Sequence, residues 1–231
     1  MDLSICIPAF GYSDGVNRAL ESLEPLTKKI KLEILVFEDP SDDPVKLRKG
    51  LNVTHVVNER SLGAPKNWNH AISACTGRYV WMLHHDEYLS PKTNVRDFIN
   101  VLDSDKYDVL FSNLTKKNSP LLNYRLKILK PLFVRNPELL YKMNVIGSPS
   151  NIIYRNSFSE FYDERLRCYV DVEFYNRLLK WAKNLSIGAF DVECIPYARN
   201  IKNILGEKLR DIEKYERSLI LREKIKREER S

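Results

Sequence analysis

Four short apolar segments alternate with helix-like segments in residues 3–87, and this alternation restricts the fold more than any other feature. Near-continuous apolar runs of this length are typical of strands that are covered on both faces of a sheet. In the helix-like segments we expect Asp14 to cap the first helix and Gly77 to end the second. The order predicts an α/β fold with a mostly parallel sheet. The apolar segments are LSICIPAF, KLEILVFED, LNVTHVVNE and RYVWMLHHDE.

Length and charge limit the function classes. The chain has 231 residues, enough for one core with a small appendage, and a net charge of +6 that favours anionic partners. No nucleic-acid-binding module is recognisable, so we expect no nucleic-acid partner. The sequence contains no apolar run long enough to span a membrane, no signal-like N-terminus and no CxxC pair among its four cysteines. These features predict a cytoplasmic protein with reduced thiols.

Polar side chains collect where each predicted strand ends. In open parallel sheets, ligands bind beyond the carboxyl ends of the strands, so these side chains are expected to share one edge. Four strands that deliver polar groups to one edge indicate a ligand site better than any single motif does. The groups are Pro8, Ala9 and Phe10, then Glu38 and Asp39, then Asn58 to Arg60, and finally His84 to Glu87.

The last of these groups suits a metal ion. Asp86 and Glu87 at a strand end favour a hard divalent cation, Mg²⁺ or Mn²⁺, although a polar turn with Asp86 capping the next helix explains them equally well. Neighbouring residues of a strand point to opposite faces, so at most one of His84 and His85 can share a metal with Asp86. We therefore disfavour a four-ligand zinc site.

Two weaker motifs lie on the same edge. Glu38 and Asp39 could accept hydrogen bonds from a base or a ribose, or could simply form a turn. Arg60 and Lys66 flank the turn at Gly63 before a helix, which is a favourable place for a phosphate and equally for a solvated loop.

The second half of the sequence is less regular. Residues 92–105 and 171–184 look helical, residues 107–115 look like a strand, and Asp171 and Glu173 open the second helix, where the helix dipole favours acids without any function. The basic, leucine-rich segment Lys116–Arg135 could contact an anionic membrane or pack on the core or at a dimer interface.

From Gly206 we expect a charged helix that is solvated or oligomerising, in which a partner would contact four apolar residues: Leu209, Ile212, Leu219 and Ile225.

In order and spacing, these motifs over roughly residues 3–180 resemble the family 2 glycosyltransferases, which have the Rossmann-like GT-A fold. The resemblance implies a three-layer α/β/α domain over residues 1–205, with a nucleotide-sugar half (1–91) and an acceptor half (92–205), followed by the charged helix 206–231. Asp86 takes the place of the last Asp of the family's Asp-x-Asp motif, and His84 stands where its first Asp lies. Asp39 matches the acid that contacts the base, whereas Glu38 replaces the acid before it.

The resemblance also implies a mechanism, in which a nucleoside diphosphate is displaced from a sugar with inversion and Asp171 is the general base. Glu173 is the second choice for this base. Mn²⁺ or Mg²⁺ on Asp86 would neutralise the leaving diphosphate. Further contacts to the nucleotide sugar would come from the strand-end groups, including His85, and from Arg60, Lys66 and Arg199. Acceptor contacts would come from Asp163, Glu164 and Glu173.

The expected acceptor is a sugar or a lipid-linked sugar in the synthesis of a surface polysaccharide or glycolipid, with the enzyme at the inner face of the membrane. Two alternatives stay open. A nucleotidyltransferase of similar fold should carry a glycine-rich loop with Lys or Arg just after the first strand, and "IPAFGYSDGVNRA" has only one distant arginine. A non-catalytic nucleotide-binding scaffold of the same descent would fit the departures at His84 and Glu38.

Overall fold

A computed structural model describes residues 1–113, 128–129, 131–194 and 206–228 of the protein. Its eight strands form a sheet with the order β3-β2-β1-β4-β7-β6-β8-β5. The strands are β1 Leu3–Ala9, β2 Leu32–Glu38, β3 Thr54–Val57, β4 Tyr79–Met82, β5 Glu87–Leu89, β6 Val109–Asn113, β7 Ile152–Arg155 and β8 Leu185–Cys194.

Helices and 3₁₀ turns lie between these strands and after the last one, and the described residues 131–135 are helical as well. The helices are α1 Ser13–Ser22, α2 Glu24–Thr27, α3 Ala64–Ser73, α4 Val95–Asp103, α5 Val170–Trp181 and α6 Leu209–Glu228. The 3₁₀ turns are Pro137–Tyr141, Pro149–Asn151 and Gly206–Lys208.

Both predicted helix boundaries were wrong. Helix α1 starts at Ser13, so Asp14 lies in its first turn, and the residue before the helix is Tyr12. Helix α3 is followed by Ala74, three positions before Gly77. The glycine serves packing instead, because a Cβ at position 77 would lie 2.6 Å from the Ser4 backbone nitrogen.

The parallel part of the sheet explains why the strand ends share one edge. Strand β1 lies between β2 and β4 and is parallel to both, and β3 extends the sheet beyond β2 in the same direction. The prediction of a mostly parallel sheet in this half is confirmed. The fourth apolar segment is shorter than expected, however, because β4 ends at Met82 and Glu87 already belongs to β5. His84, His85 and Asp86 therefore lie in a turn between two strands.

The other half of the sheet is mixed. Strand β7 is antiparallel to both β4 and β6, whereas β8 is parallel to β6 and antiparallel to β5. The β5–β8 pair was not predicted, because three residues carry too little pattern for a strand. Helices α1, α2 and α4 cover one face of the sheet, and α3 and α5 cover the other, with a buried apolar cluster in each layer.

Helix α6 packs on its own chain. Leu219 and Ile220 contact the apolar cluster on the α3 and α5 side of the sheet, and Glu216 is buried. The expectation that Leu219 faces a partner is therefore corrected, since its partner is the core of the same molecule. The side chain of Ile225 lies outside the described residues.

Most of the basic segment Lys116–Arg135 lies outside the described residues, which include only 128–129 and 131–135 of it. In that part Phe133 and Val134 are buried in the core, and Ile128 and Leu132 are exposed. Over the described parts of the chain, no helix is both long and apolar enough to cross a bilayer.

Candidate active site

A cavity of about 360 Å³ lies at the carboxyl ends of β1, β2 and β4. Five residues that the sequence predicted for the nucleotide-sugar site line it: Pro8, Ala9, Phe10, Asp39 and His85. The other lining residues are Ser61, Gly63, Ala64, Asn67, Trp68 and His84. We call the surface formed by Pro8–Phe10, Asp39 and residues 61–64 the loop wall.

Asp39 organises the loop wall. This carboxylate is only 5% exposed and accepts hydrogen bonds from the backbone nitrogens of Leu62 and Gly63, the latter at 2.7 Å. The side chains of Asn58 and Ser61 donate to it as well, at 2.8 Å and 3.3 Å. A carboxylate with so many donors fixes the shape of the loop, so Asp39 lines the cavity and also builds it.

Glu38 does not line the cavity. It is 1% exposed, its Oε1 accepts the Val45 N–H at 2.8 Å, and its Oε2 lies 2.8 Å from His55 Nε2. The expected contact of Glu38 with a nucleotide is therefore corrected to a structural role, because both carboxylate oxygens are already used to hold neighbouring segments.

The predicted phosphate-binding cations are not on the cavity surface in the described structure. Arg60 and Lys66 are exposed, and neither lines the cavity. Arg199 lies outside the described residues. The expected contacts of Arg60 and Lys66 therefore find no support in this geometry, since their side chains extend to solvent.

His84 connects the cavity to a cluster of acids. One ligand atom each of His84, Asp86 and Glu87 lies within 4.8 Å of the others, and His84 also lines the cavity. The backbone N–H of His84 donates to Ser150 Oγ at 2.8 Å, and the Ser148 hydroxyl lies 2.7 Å from both Glu87 oxygens. The turn after β4 thus holds an imidazole and two carboxylates close together.

Of the two histidines, His84 belongs to the cluster with Asp86 and Glu87. His85 turns the other way, and its Nδ1 lies 3.0 Å from the Pro8 carbonyl oxygen, on the side of the loop wall. The Nε2 atom of His84 is buried and has no hydrogen-bond partner in the described structure. Burial also lowers the pKa of His84, although the charge of Asp86 opposes this. A neutral imidazole can act as a metal ligand.

Burial raises the pKa of Glu87 to about 7, against hydrogen bonds from Ser150 and Ser148 that lower it. The donor set of one imidazole nitrogen and two carboxylates fits a divalent transition metal such as Mn²⁺. The orphaned nitrogen of His84 supports this fit, because a buried polar atom without a partner costs free energy unless something binds it.

Asp171 lies beside this cluster. It occupies the first turn of α5, is half-buried, and its Oδ1 has no hydrogen-bond partner among the described residues. Burial raises the pKa of Asp171 to about 7, with a further contribution from the negative charge of Glu87. The predicted base thus lies near Glu87, which clusters with the predicted metal ligand Asp86. We call the cluster formed by His84, Asp86, Glu87 and Asp171 the acidic wall; His84 lines the cavity, and the three acids lie behind it.

The family follows from a comparison with known proteins. The model of glycosyl transferase family 2 matches residues 4–162, well over half of the chain. The chain belongs to glycosyl transferase family 2. An uncharacterised glycosyltransferase of Methanocaldococcus jannaschii, MJ1057, is 24% identical to this family 2 chain over 180 residues, which cover 71% of the chain and 59% of the relative.

Solved structures resemble the fold of this family 2 chain. S. aureus TarS 1-349 matches with a TM-score of 0.62 and 23% identity, over 81% of this chain and 58% of that one. Glucosyl-3-phosphoglycerate synthase of Mycobacterium tuberculosis matches with a TM-score of 0.55 and 16% identity, over 84% of this chain and 71% of that one. These neighbours are GT-A glycosyltransferases, and the predicted GT-A fold is confirmed. The chain spans less than two thirds of MJ1057 and of TarS 1-349.

Three other acids that the sequence placed in the acceptor site of this family 2 protein are engaged elsewhere. Arg177 holds both oxygens of Glu173, at 2.8 Å and 2.7 Å. Arg165 likewise holds both oxygens of Asp163, and Glu164 accepts a hydrogen bond from Asn69 at 3.1 Å. Glu173 is therefore corrected from candidate base to ion-pair partner, since its lone pairs already face a guanidinium.

Sequence reasoning gave no role to Trp68, which joins the two walls. Its ring lines the cavity and lies 5.0 Å from the His84 ring and 5.1 Å from the Tyr162 ring, centre to centre. An aromatic residue on the amphipathic helix α3 looks like an ordinary core residue in the sequence. Only the fold shows that it borders the site.

Proposed function

We propose that this family 2 chain is a metal-dependent, inverting hexosyltransferase, which moves a sugar from a nucleoside-diphosphate sugar to an acceptor hydroxyl. The observation that carries this proposal is the position of Asp171. This carboxylate has an enclosed oxygen and a raised pKa and lies near Glu87, in the cluster that His84 connects to the cavity. Membership of the family supports it, and structures of the neighbour TarS contain UDP and UDP-GlcNAc.

His84, Asp86 and Glu87 are the residues that would hold the metal ion. A bound Mn²⁺ would neutralise negative charge on the diphosphate as it leaves. The crystal structure of glucosyl-3-phosphoglycerate synthase, which resembles this fold, contains Mn²⁺ and UDP, and this supports the choice of ion. The imidazole of His84 favours Mn²⁺ over Mg²⁺, because Mg²⁺ prefers ligands that are all oxygen.

The residues of the chain supply the remaining steps. Asp171 takes the proton of the acceptor hydroxyl while that oxygen attacks the anomeric carbon from the face opposite the diphosphate, so one displacement inverts the centre. A carboxylate with a pKa near 7 is well matched to this task at neutral pH. The loop wall, with Phe10 and Asp39, would bind the nucleoside, and the ring of Trp68 would border the sugar.

For the donor we propose a uridine nucleotide, supported by the match at Asp39 and by the UDP complexes of TarS. For the acceptor we propose a sugar or lipid-linked sugar of a surface polysaccharide or glycolipid. The net charge of +6 is consistent with an anionic acceptor or with contact to an anionic membrane.

A thermal-shift panel tests the donor class. UDP, CDP, GDP and ADP are each added with Mn²⁺, with Mg²⁺ and with chelator, since a ligand that binds only the folded state raises the melting temperature. We expect UDP with Mn²⁺ to give the largest shift. Equal shifts by all four nucleotides would remove the uridine preference, and no metal-dependent shift by any of them would contradict the proposed function.

A pair of variants assigns the metal site in the same panel. Asp86→Asn should lose the metal-dependent part of the UDP shift, because the amide is a poor replacement for an anionic ligand. The matched control is Asp14→Asn, whose side chain is exposed in the first turn of α1 and is not among the residues that line the cavity. An equal loss in both variants would count against the acidic cluster as the metal site.

A further inference from the structure

A carboxylate of α6 is buried against the backbone that leads into α5. Glu216 is 1% exposed, and its Oε1 accepts the Arg167 N–H at 2.6 Å. Its Oε2 accepts the N–H groups of Cys168 and Tyr169, both at 2.9 Å. One side chain therefore satisfies three successive backbone donors, all directly before the helix that carries Asp171.

This arrangement differs from a local cap, because the three N–H groups belong to residues that precede α5. The first N–H groups of a helix lack partners within the helix, and a side chain at the preceding residue usually provides one. Tyr169 precedes α5 and makes no side-chain cap. Glu216, 47 positions further along the chain, binds this segment instead. Hydrogen bonds to an ionised carboxylate are stronger than those to a neutral cap, and a negative charge at a helix N-terminus is favourable.

Further contacts fix α6 in this position. Arg217 Nε donates to the Tyr169 hydroxyl at 2.5 Å, and its guanidinium carbon lies 5.3 Å from the centre of that ring. Leu219 and Ile220 pack against the core on the same side of the molecule. The helix is thus tied to the 167–169 segment by hydrogen bonds and to the sheet layer by apolar contact.

We propose that α6 is a positioning element for the reaction and that Glu216 is its positioning residue. Tyr169, which Glu216 holds, is separated from Asp171 by one residue, so a shift of the 167–169 backbone moves the base. Displacement of a reacting group by about 1 Å can cost on the order of 100-fold in rate, even when the substitution is distant from the chemistry. This inference rests on the proposed function, in which Asp171 is the base.

Kinetics of two variants separate positioning from general stability. Turnover is measured as UDP release from UDP-glucose or UDP-N-acetylglucosamine, and binding is measured with UDP and Mn²⁺. We expect Glu216→Gln to lower kcat at least about tenfold, with the Kd for UDP and the KM for the donor within about twofold of the wild type. An unchanged kcat, or a parallel loss of UDP binding, would overturn the proposal.

The matched control is Glu213→Gln. Glu213 is one turn earlier on α6 and close enough to Cys168 to raise the pKa of its thiol, but it makes no hydrogen bond in the described structure. The substitution Glu213→Gln therefore removes a similar charge from the same region and leaves the hydrogen bonds of Glu216 intact. Its kcat should stay within about twofold of the wild type, and a loss as large as that of Glu216→Gln would show that charge, not anchoring, matters.

Amide hydrogen exchange tests the anchor without any turnover. In the wild type, the amides of residues 167–169 should exchange slowly although they precede the helix, and in Glu216→Gln they should exchange at least about tenfold faster while those of α3 do not change. Rapid exchange in the wild type would overturn the proposal even if the variant failed to fold. If the wild type released UDP from neither donor, the proposed function and the positioning role of Glu216 would both be contradicted. Hydrogen exchange would still decide whether Glu216 anchors residues 167–169.

Discussion

The loop wall and the acidic wall differ in how far their polar groups are satisfied. In the loop wall, Asp39 has donors from two side chains and two backbone groups. In the acidic wall, the buried His84 Nε2 and Asp171 Oδ1 have no partner within the described structure. The pKa values of Glu87 and Asp171 are also raised there, to about 7 in each case. A saturated wall fixes a shape, whereas unsatisfied groups with shifted pKa values mark the place where ligand and chemistry complete the structure.

The largest expected effect on the difference between the walls comes from removing the carboxylate of Asp171. Asp171→Asn keeps the shape of the acidic wall but cannot take a proton, so we expect turnover of the sugar nucleotide to fall about 100-fold to 10,000-fold. The Kd for UDP with Mn²⁺ should stay within about threefold, because the loop wall is intact. The measurement is steady-state release of UDP together with calorimetric binding.

Two outcomes would go against this assignment. Turnover that survives in Asp171→Asn would show that another group is the base. A wild-type protein that binds UDP and Mn²⁺ but neither transfers nor hydrolyses any sugar nucleotide would favour the non-catalytic scaffold.

The reverse experiment removes the central hydrogen-bond acceptor of the loop wall. Asp39→Ala leaves the N–H groups of Leu62 and Gly63 and the Asn58 amide without their acceptor, so the free energy of unfolding should fall by about 3–4 kcal/mol. UDP binding should weaken at least about tenfold with it. Urea unfolding measures the first effect and calorimetry the second, with exposed Asp42→Ala as the control. A variant of wild-type stability that only loses UDP would mean that Asp39 binds the ligand without shaping the wall.

The difference between the walls also explains what the sequence could predict. Strands β1 to β4 have near-continuous apolar runs, so their ends, and with them Pro8 to Phe10, Asp39 and His85, could be assigned to one edge. The roles of Glu38 and Glu173 could not be predicted, because each depends on a partner, His55 or Arg177, that only the folded chain brings into contact.

The remaining features depend on contacts between distant segments, so the sequence did not predict them. Strand β8 alternates apolar and polar residues, but its alternation changes phase between Ala189 and Phe190, and its pairing with the three-residue β5 depends on tertiary contacts. Glu216 lies in a helix that is charged on most of its surface. Nothing local distinguishes it from the other acids of α6, since its partners are backbone groups of a distant segment. That Asp171 and Asp86 share one site could be expected only from the family resemblance.

A pH series sharpens the comparison through stability. Burial raises the pKa of Asp171 from 3.8 to about 7, so between these values the unfolded chain is ionised there while the folded chain is still protonated. The folded protein is therefore more stable relative to the unfolded chain below pH 4, and it loses this stability as the pH rises to about 7. Asp171→Asn removes this loss, and we expect its stability relative to the wild type to improve by about 2 kcal/mol between pH 4 and pH 8. Urea unfolding in chelator at both pH values measures it.

Asp163→Asn is the control with the opposite sign. Its hydrogen bonds with Arg165 lower the pKa of Asp163, so the carboxylate stabilises the fold above the ordinary pKa, and that contribution disappears as the pH falls through the lowered value. Asp163→Asn should therefore be less stable than the wild type at pH 8. Parallel pH trends in the two variants would contradict the assignment of opposite environments.

The smallest expected effect on turnover concerns the second acid of α5. Glu173 lies two residues from Asp171, but Arg177 holds both of its oxygens, and Arg177 also donates to the Phe161 carbonyl oxygen at 2.7 Å. We expect Glu173→Gln to leave kcat within about threefold, with a loss of about 1–2 kcal/mol in the free energy of unfolding, because the amide keeps one acceptor for the guanidinium. Turnover and urea unfolding are measured on the same samples. If Glu173→Gln abolished turnover and Asp171→Asn did not, the base would be the satisfied acid, and the link between unmet polar capacity and chemistry would fail in this molecule.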